Sequence, residues 1–486
     1  MPYLTPKLVS NPALESSRSG FFRHWRNHAL LSAMGKTGAA SLLGSLLNAG
    51  ATKVLAVYAG PVAVAMWATL QQTRQAALVI ATGNGQTALV QGASRLAGPC
   101  RGAYVRTVAS IFLGLTLLAL ALLAVGRRFA GQGGQLTLTG ISSASLISLA
   151  APVFLSSVFV FQSALLNVLQ GAGSLASVQA LASLATLLST VLVIMLLPSQ
   201  GPGGMTPAPL LVIMTLAGAA SCAIAAAALF PHKRTIGEWF SREETVWSFS
   251  AARHFFSIAG AMWVSGVLAS LVLLLVRGRI TASQGLTVTG QFDAAWNISM
   301  NQAALVLASM QTHYLPEVAR APSGADGAAQ RRRQISETLK TGSLVAALVI
   351  AAVACMKPWI LQILYAAAFR PAAGFLRWTL LGDYLKVSSW ILSIPLLAMG
   401  DLQSFLLADL AAYGAFLVAS FWLTASVGAA TGASVGFVVM YLAHLICCAF
   451  FLYWKHQFMP HASAVRSWLV GMGLVLAGSA LTWRLA

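Results

Sequence analysis

The chain is short of acid. Its 486 residues hold 11 Asp and Glu against 30 Lys and Arg, and no carboxylate side chain occurs between Glu15 and Glu238. Charge of either sign is scarce at 8% of residues, where a soluble domain carries roughly 25%. Together with 58% hydrophobic residues, this excludes an ordinary soluble domain and points to a chain that lives in the bilayer. Cysteine is also sparse: Cys100, Cys222, Cys355, Cys447 and Cys448 stand singly or adjacent, without metal or redox spacing, so no thiol chemistry is assigned to them. There is no Walker motif, which removes ATP as the direct energy source. The GNG at 83–85 lies in an apolar stretch without the strand and helix that a phosphate-binding loop needs. A net charge of +19 could suggest nucleic acid, but no polar domain exists to carry such a site. The expectation is therefore no cofactor, no metal, no nucleic acid and no enzyme motif.

What is present is apolar sequence in span-sized pieces. Twelve stretches have the roughly 20 apolar residues a helical crossing needs: 36–59, 66–90, 106–126, 142–168, 174–197, 207–230, 250–276, 286–310, 341–365, 374–399, 403–427 and 430–454. The expected fold class is an all-α polytopic membrane protein of about 12 transmembrane helices, or 13 if the shorter segment 467–483 also crosses. The first 28 residues are polar and basic, with no signal-peptide core, and read as a cytoplasmic leader. With that end inside, 17 basic residues fall on the inner side and 6 on the outer, the latter being Arg127, Arg128, Arg277, Arg279, Arg370 and Arg377. That asymmetry obeys the positive-inside rule and accounts for most of the net charge. The long polar connection PHKRTIGEWFSREETV follows six spans and precedes six more. The implied organisation is a basic leader (1–35), a six-helix lobe (36–230), a cytoplasmic linker (231–249), a second six-helix lobe (250–455) and a tail with the extra apolar segment (456–486). Two such halves suggest a transporter. Short outer connections weigh against an enzyme acting on the far side.

A few ionisable groups remain at membrane depth, where an unpaired charge costs at least a few kcal/mol. Lys53 and Arg74 flank the Gly60-Pro61 turn and have no acidic partner anywhere in the first half. They either snorkel to lipid phosphates or form the cationic wall of a cavity, since Arg grips phosphate with two parallel hydrogen bonds and Lys supplies a compact charge. Arg253 lies close enough to the inner surface to do either. In QFDAAWNISMNQ, Asp293, Asn297 and Asn301 recur every fourth residue and share one helix face, with Gln291 nearby. That face suits either helix–helix hydrogen bonding or a polar path. Asp383 and Lys386 in LLGDYLK are one helical turn apart, near the bilayer midplane, and Asp409 is the remaining deep acid of the second half. Lys357, just before Pro358, suggests a kink or the end of a span. His444 reads as a packed histidine.

Four pieces, AVYAGPVAVAMWATLQQTRQ (56–75), LVQGASR (89–95), HYLPEVAR (313–320) and LLGDYLK (380–386), resemble the Wzx-type flippases in order and in span position, over residues 36 to 456. These form the polysaccharide-transport branch of the multidrug/oligosaccharidyl-lipid/polysaccharide exporter superfamily, and the likeness is to its enterobacterial common antigen lipid III flippases and O-antigen translocases. The resemblance implies a MATE-like, two-lobe protein of the bacterial inner membrane with a cytoplasmic N-terminus. Its implied work is to move undecaprenyl-pyrophosphate-linked oligosaccharide to the periplasmic leaflet by alternating access, beside membrane lipids and the polymerase and chain-length proteins of polysaccharide and lipopolysaccharide synthesis. Lys53, Arg74, Asp383 and Lys386 fall on positions matching the family pattern. The expected roles are Lys53, Arg74 and Arg253 for the anionic headgroup, Gln291, Asn297 and Asn301 for the polar path, and Asp293, Asp383, Lys386 and Asp409 for ion coupling or gating. Two alternatives stand: a drug/cation antiporter of the same superfamily, and a membrane polysaccharide polymerase or ligase.

Overall fold

The computed structural model describes residues 21–96, 98–132, 143–170, 172–196, 206–240, 247–320 and 325–481. Residues 1–20 of the leader, and the side chains up to residue 39 with Lys36 among them, lie outside the described residues. Every regular element described is helical. In hydrocarbon a backbone must satisfy its own hydrogen bonds, and a helix does so within one segment. The elements are α1 (Phe21–Thr82), α2 (Gln86–Arg95), α3 (Gly98–Gln132), α4 (Ser143–Ser148), α5 (Ala150–Gln170), α6 (Ala172–Leu196), α7 (Pro207–Leu229), α8 (Lys233–Trp239), α9 (Phe249–Arg320), α10 (Ala325–Leu364), α11 (Ala372–Ala398), α12 (Leu402–Val427), α13 (Ala429–His456) and α14 (Ala462–Leu481). Eleven apolar stretches among the described residues are long enough to cross a membrane.

Two of those stretches each hold two crossing legs, so the described residues make 13. In α1 the break is Gly60, at φ 74° and ψ −170°, followed by Pro61. Glycine takes a positive φ without a Cβ clash, and the following proline opens the next helix, where its missing N–H costs nothing. In α9 the break is Gly285 at φ 80°. The chain reverses there: Thr281 and Thr289 hydroxyls meet at 3.0 Å, whereas eight residues of straight helix would separate them by about 12 Å. The legs are called α1a (21–59), α1b (61–82), α9a (249–284) and α9b (286–320).

That reversal corrects the placement of Arg277. The sequence reading counts Arg277 and Arg279 in an outer connection, because they fall between the apolar stretches 250–276 and 286–310. The helix runs on to the turn at Gly285, and Arg277 is buried, 4% exposed. Its charge is tolerated because the returning leg brings Asp293 to 2.7 Å. Arg279 stays exposed, its guanidinium 5.9 Å from the Phe421 ring centroid. Likewise α10 continues through Lys357 and Pro358 to Leu364, so no span ends there.

α11 is the central helix: 83% of its span is buried, and no other span is more than half buried. Its neighbours are protein instead of lipid, which is why Asp383, Lys386, Ser388, Ser389 and Ser393 can sit inside it. The apolar segment after the twelfth leg forms a full helix, α14, packed along α10 and fastened to α11. Tyr384 donates its hydroxyl to the Trp468 carbonyl at 2.6 Å, and Trp468 Nε1 donates to Ser388 Oγ at 2.9 Å.

The turn between α11 and α12 is tied down by Asp401. Its carboxylate caps α12 through the Ser404 backbone N–H at 3.2 Å and faces Lys455 at 3.3 Å and His456 at 3.2 Å from the end of α13. Partial burial pushes this carboxyl up, but the bonds from Ser404, His456 and Lys455 outweigh it and hold it down at about 2.

Candidate functional site

A cavity of about 850 Å³ opens between α1, α5, α6 and α7 on one side and the α9 hairpin on the other, with Leu364 and Tyr365 at the end of α10 also lining it. Its walls come from α1a (Asn48, Thr52), α1b (Gln71, Gln72, Arg74, Gln75), α5 (Ser156), α6 (Gln179, Ser183, Thr186), α7, Arg277 of α9a and Asn297, Asn301 and Gln302 of α9b. The lining residues of α1a, Leu42 to Thr52, precede the Gly60 turn by about 12 to 27 Å of helical rise. On α1b the lining begins at Trp67, about 9 Å of rise after Pro61, so the cavity runs from about 10 Å short of the Gly60 and Gly285 turns toward the opposite side of the protein.

At the turn end the two sides close on one another. Gly290 of α9b packs so tightly on Pro61 that an added Cβ would meet the Pro61 carbonyl. Arg277 reaches across to α1b, donating to Gln72 Oε1 at 3.2 Å and to the Ala68 carbonyl at 3.5 Å.

The cavity wall carries two formal charges, Arg74 and Arg277, both positive; no lining residue is an acid. Arg277 is neutralised by Asp293. Arg74 is half-buried, donates one guanidinium N–H to Ser156 Oγ at 2.8 Å and leaves its Nε without a partner. The rest of the polar lining is amide and hydroxyl. These groups donate and accept equally and suit a polyhydroxylated ligand.

Of the residues singled out by sequence, Arg74, Asn297 and Asn301 meet on this wall. Asn301 Nδ2 is held by the Asn297 carbonyl at 2.9 Å, as one helical turn allows. Asp293 stands behind Arg277. Asp383 adjoins the cavity through Gln302, whose Nε2 donates to Asp383 Oδ2 at 2.8 Å. Lys386 points elsewhere: its ammonium is 3.2 Å from Met300 Sδ and 5.7 Å from the Tyr441 ring centroid. Among the described residues, no ion pair within 4 Å joins Asp383 to Lys386.

The others lie off the wall. Lys53 is exposed and donates to the Ile363 carbonyl at 2.5 Å, in the last turn of α10, where a helix end attracts a cation. Gln291 Nε2 holds the Ala368 carbonyl at 2.9 Å. Arg253 is exposed near the start of α9a. Asp409 is enclosed by α9a, α12 and α13, accepting from Ser265 Oγ at 2.5 Å and facing His444 Nε2 at 3.3 Å.

Sequence reasoning missed Arg277, Gln302 and the glutamines of α1b. Of the run QQTRQ (71–75), the sequence reading assigns a role to Arg74 only. The spacing of the run, with Gln71, Gln72 and Gln75 inside an apolar span, is the signal that was available. Polar amides held at membrane depth need either a helix partner or water.

No protein-family model matches the chain. Two curated relatives, the "Lipid III flippase" of Escherichia coli (strain K12) and that of Shigella flexneri, are each 24% identical to it over 195 residues. The match covers 40% of this chain and 46% of each relative, so the chain spans about half the length of the relatives it matches. Solved structures match over nearly the whole length. The lipid II flippase MurJ in an inward closed conformation gives a TM-score of 0.63 at 12% identity, covering 93% of this chain and 99% of that one. An inward-facing multidrug resistance MATE family transporter of the MOP superfamily gives 0.61 at 12% identity, covering 91% and 96%. The Vibrio cholerae MATE transporter VcmN in its bent form gives 0.57 at 14% identity, covering 93% and 98%. The chain therefore has the all-helical transporter fold shared by MurJ and the MATE proteins.

Proposed function

We propose that this protein is a flippase that carries the headgroup of a lipid-linked oligosaccharide across the bacterial inner membrane by alternating access, without enzymatic chemistry. The observation that carries this reading is the cavity wall: cationic at Arg74, amide and hydroxyl around it, with no acid lining it. A polyprenyl pyrophosphate joined to sugars presents matching chemistry, an anion next to a polyhydroxylated chain. In hydrocarbon such a headgroup would lose its hydration at prohibitive cost. In the cavity Arg74 faces the phosphates and the amides of α1b and α9b face the sugars, while the polyprenyl chain stays in lipid. The name shared by the two curated relatives supports this substrate class.

With the N-terminus in the cytoplasm, as the distribution of basic residues favours, the Gly60 and Gly285 turns face the periplasm. The conformation described is then inward-facing, ready to load from the cytoplasmic leaflet. The basic leader (1–35), the two lobes (36–230 and 250–455), the linker (231–249) and the tail (456–486) follow that topology, with polymerase and chain-length proteins acting on the delivered unit. Asp383, reached from the cavity through Gln302, and Asp409 are the candidate ion-coupling acids.

The MATE neighbours share the fold and keep a drug/cation antiporter in view. A cavity for cationic drugs calls for acid in its wall, and none lines this one. The test is deletion followed by fractionation of lipid-linked intermediates. Accumulation on the cytoplasmic face, reversed by the wild-type gene, supports the flippase. Unpolymerised units already in the periplasm would replace it with a polymerase, and restored efflux of a cationic dye with no lipid intermediate would replace it with the antiporter.

A further inference from the structure

Arg277 has an arrangement that a fixed structural ion pair does not need. It is 4% exposed, yet its side chain is part of the cavity lining. Its guanidinium engages three groups on two other legs at once: Asp293 across the hairpin turn in α9b, and Gln72 Oε1 and the Ala68 carbonyl in α1b. These contacts lie at the end of the cavity that is shut, near the packing of Gly290 on Pro61. The pair is close but held through one oxygen: Nη2 stands 2.7 Å from Oδ1, while Asp293 Oδ2 and Arg277 Nε are buried without a hydrogen-bond partner.

We infer that Arg277 is an anion-operated latch: a phosphoanion at the blind end of the cavity takes the guanidinium from Asp293 and Gln72, and this releases the closed end. The inference rests on the flippase reading for the source of the anion and extends it to what loading does. A guanidinium has five N–H donors in a planar fork, and a phosphate that meets two of them matches that fork better than a carboxylate held through one oxygen does. Once an anion shares Arg277, Asp293 is left as a buried charge with too little compensation. A buried charge stripped of its partner strongly disfavours the structure that encloses it. The relief is to part α9b from α1b and admit water at that end. Arg277 thus adds a second cation to the headgroup site, and Asp293 acts as the counter-ion that the substrate displaces.

The test uses full-length protein in phosphatidylcholine nanodiscs, with inorganic pyrophosphate as probe. Binding is measured by calorimetry. The closed end is measured by spin labels introduced at exposed Tyr58 and Thr287, with exposed Cys100 and Cys355 changed to serine. In the parent, pyrophosphate is expected to lengthen the Tyr58–Thr287 distance. Asp293→Asn, which frees the guanidinium, should tighten pyrophosphate about tenfold, the effect of one charge-assisted hydrogen bond, and lengthen the distance without ligand. If that variant folds poorly, the neutral pair Arg277→Gln with Asp293→Asn keeps the site enclosed without charge. It should bind pyrophosphate about tenfold more weakly than the parent and show no ligand-induced change in distance.

Pyrophosphate binding that depends on Arg74 alone, with Asp293→Asn and the double variant unchanged in affinity and distance, would overturn the latch and leave the flippase reading standing. Absence of pyrophosphate binding in the parent would count against both. A change of distance on adding phosphatidylglycerol to the nanodisc, without pyrophosphate, would also overturn it, because the gate would then be reading bulk lipid.

Discussion

Gly290→Ala tests the closed end through one methyl group. Placed on the Gly290 backbone, that methyl would lie 2.0 Å from the Pro61 carbonyl oxygen and 2.8 Å from its carbon. Both sides of the contact are backbone, so no side chain can swing away. The legs must part by about 1 Å, and overpacking of this kind typically costs 1–3 kcal/mol. The cost falls on the closed state only, because Pro61 and Gly290 belong to different legs that separate when this end opens. The helix-propensity gain of alanine over glycine is the same in both states and cancels. The conformational equilibrium should therefore move about 5- to 150-fold toward opening at the Gly60–Gly285 end. The assay is labelling of a cysteine introduced at Gln71, on the cavity wall, by a membrane-impermeant maleimide applied from that side. Gly290→Ala should speed labelling and slow net flipping, because the inward-facing return is penalised. Unchanged labelling with unchanged protein abundance would refute the close approach of α1b and α9b as the seal.

Three further outcomes are expected. Arg74→Ala removes charge-assisted hydrogen bonds worth about 1.5–3 kcal/mol and should weaken binding of a pyrophosphate-bearing headgroup about 10- to 100-fold without lowering abundance, read by equilibrium binding and quantitative blotting. Asp401 titrates lower folded, about 2, than its usual 3.8, so its contribution is fully present above pH 4 and disappears as pH falls through 2. After allowance for solvent screening this is on the order of 1 kcal/mol, and Asp401→Asn should flatten the acid side of a thermal-stability profile by that amount. Tyr384→Phe deletes the bond to the Trp468 carbonyl and should cost about 1 kcal/mol, seen as a lower unfolding temperature and earlier proteolysis of α14.

Much of the fold can be read in the sequence because the bilayer enforces it. Span-sized apolar runs, polar connections and the Gly-Pro turn at Gly60 each follow from local chemistry. Arg277 was misplaced because its burial depends on Asp293, sixteen positions later, returning beside it; nothing local marks a cation that will be neutralised across a hairpin. Lys53 and Arg74 looked alike in sequence, similar in depth and both without acids. They differ in the direction each helix presents them, one to the end of α10 and the other to the cavity. Asp383 and Lys386 have the spacing of an ion pair, but Gln302 and Met300 of α9b come close enough to engage each separately. Such competition is settled by tertiary packing, which helical periodicity does not encode.

The amides of the cavity wall have a consequence of their own. An amide neither gains nor loses a proton across the range in which cells live, and a guanidinium does not release one. A wall built from Gln71, Gln72, Gln75, Asn297, Asn301 and Arg74 therefore presents the same chemical face to two aqueous media of different acidity. Acidity by itself therefore leaves the hold of such a wall on a polyhydroxylated ligand unchanged, so any dependence on a proton gradient must come from parts of the molecule other than this wall.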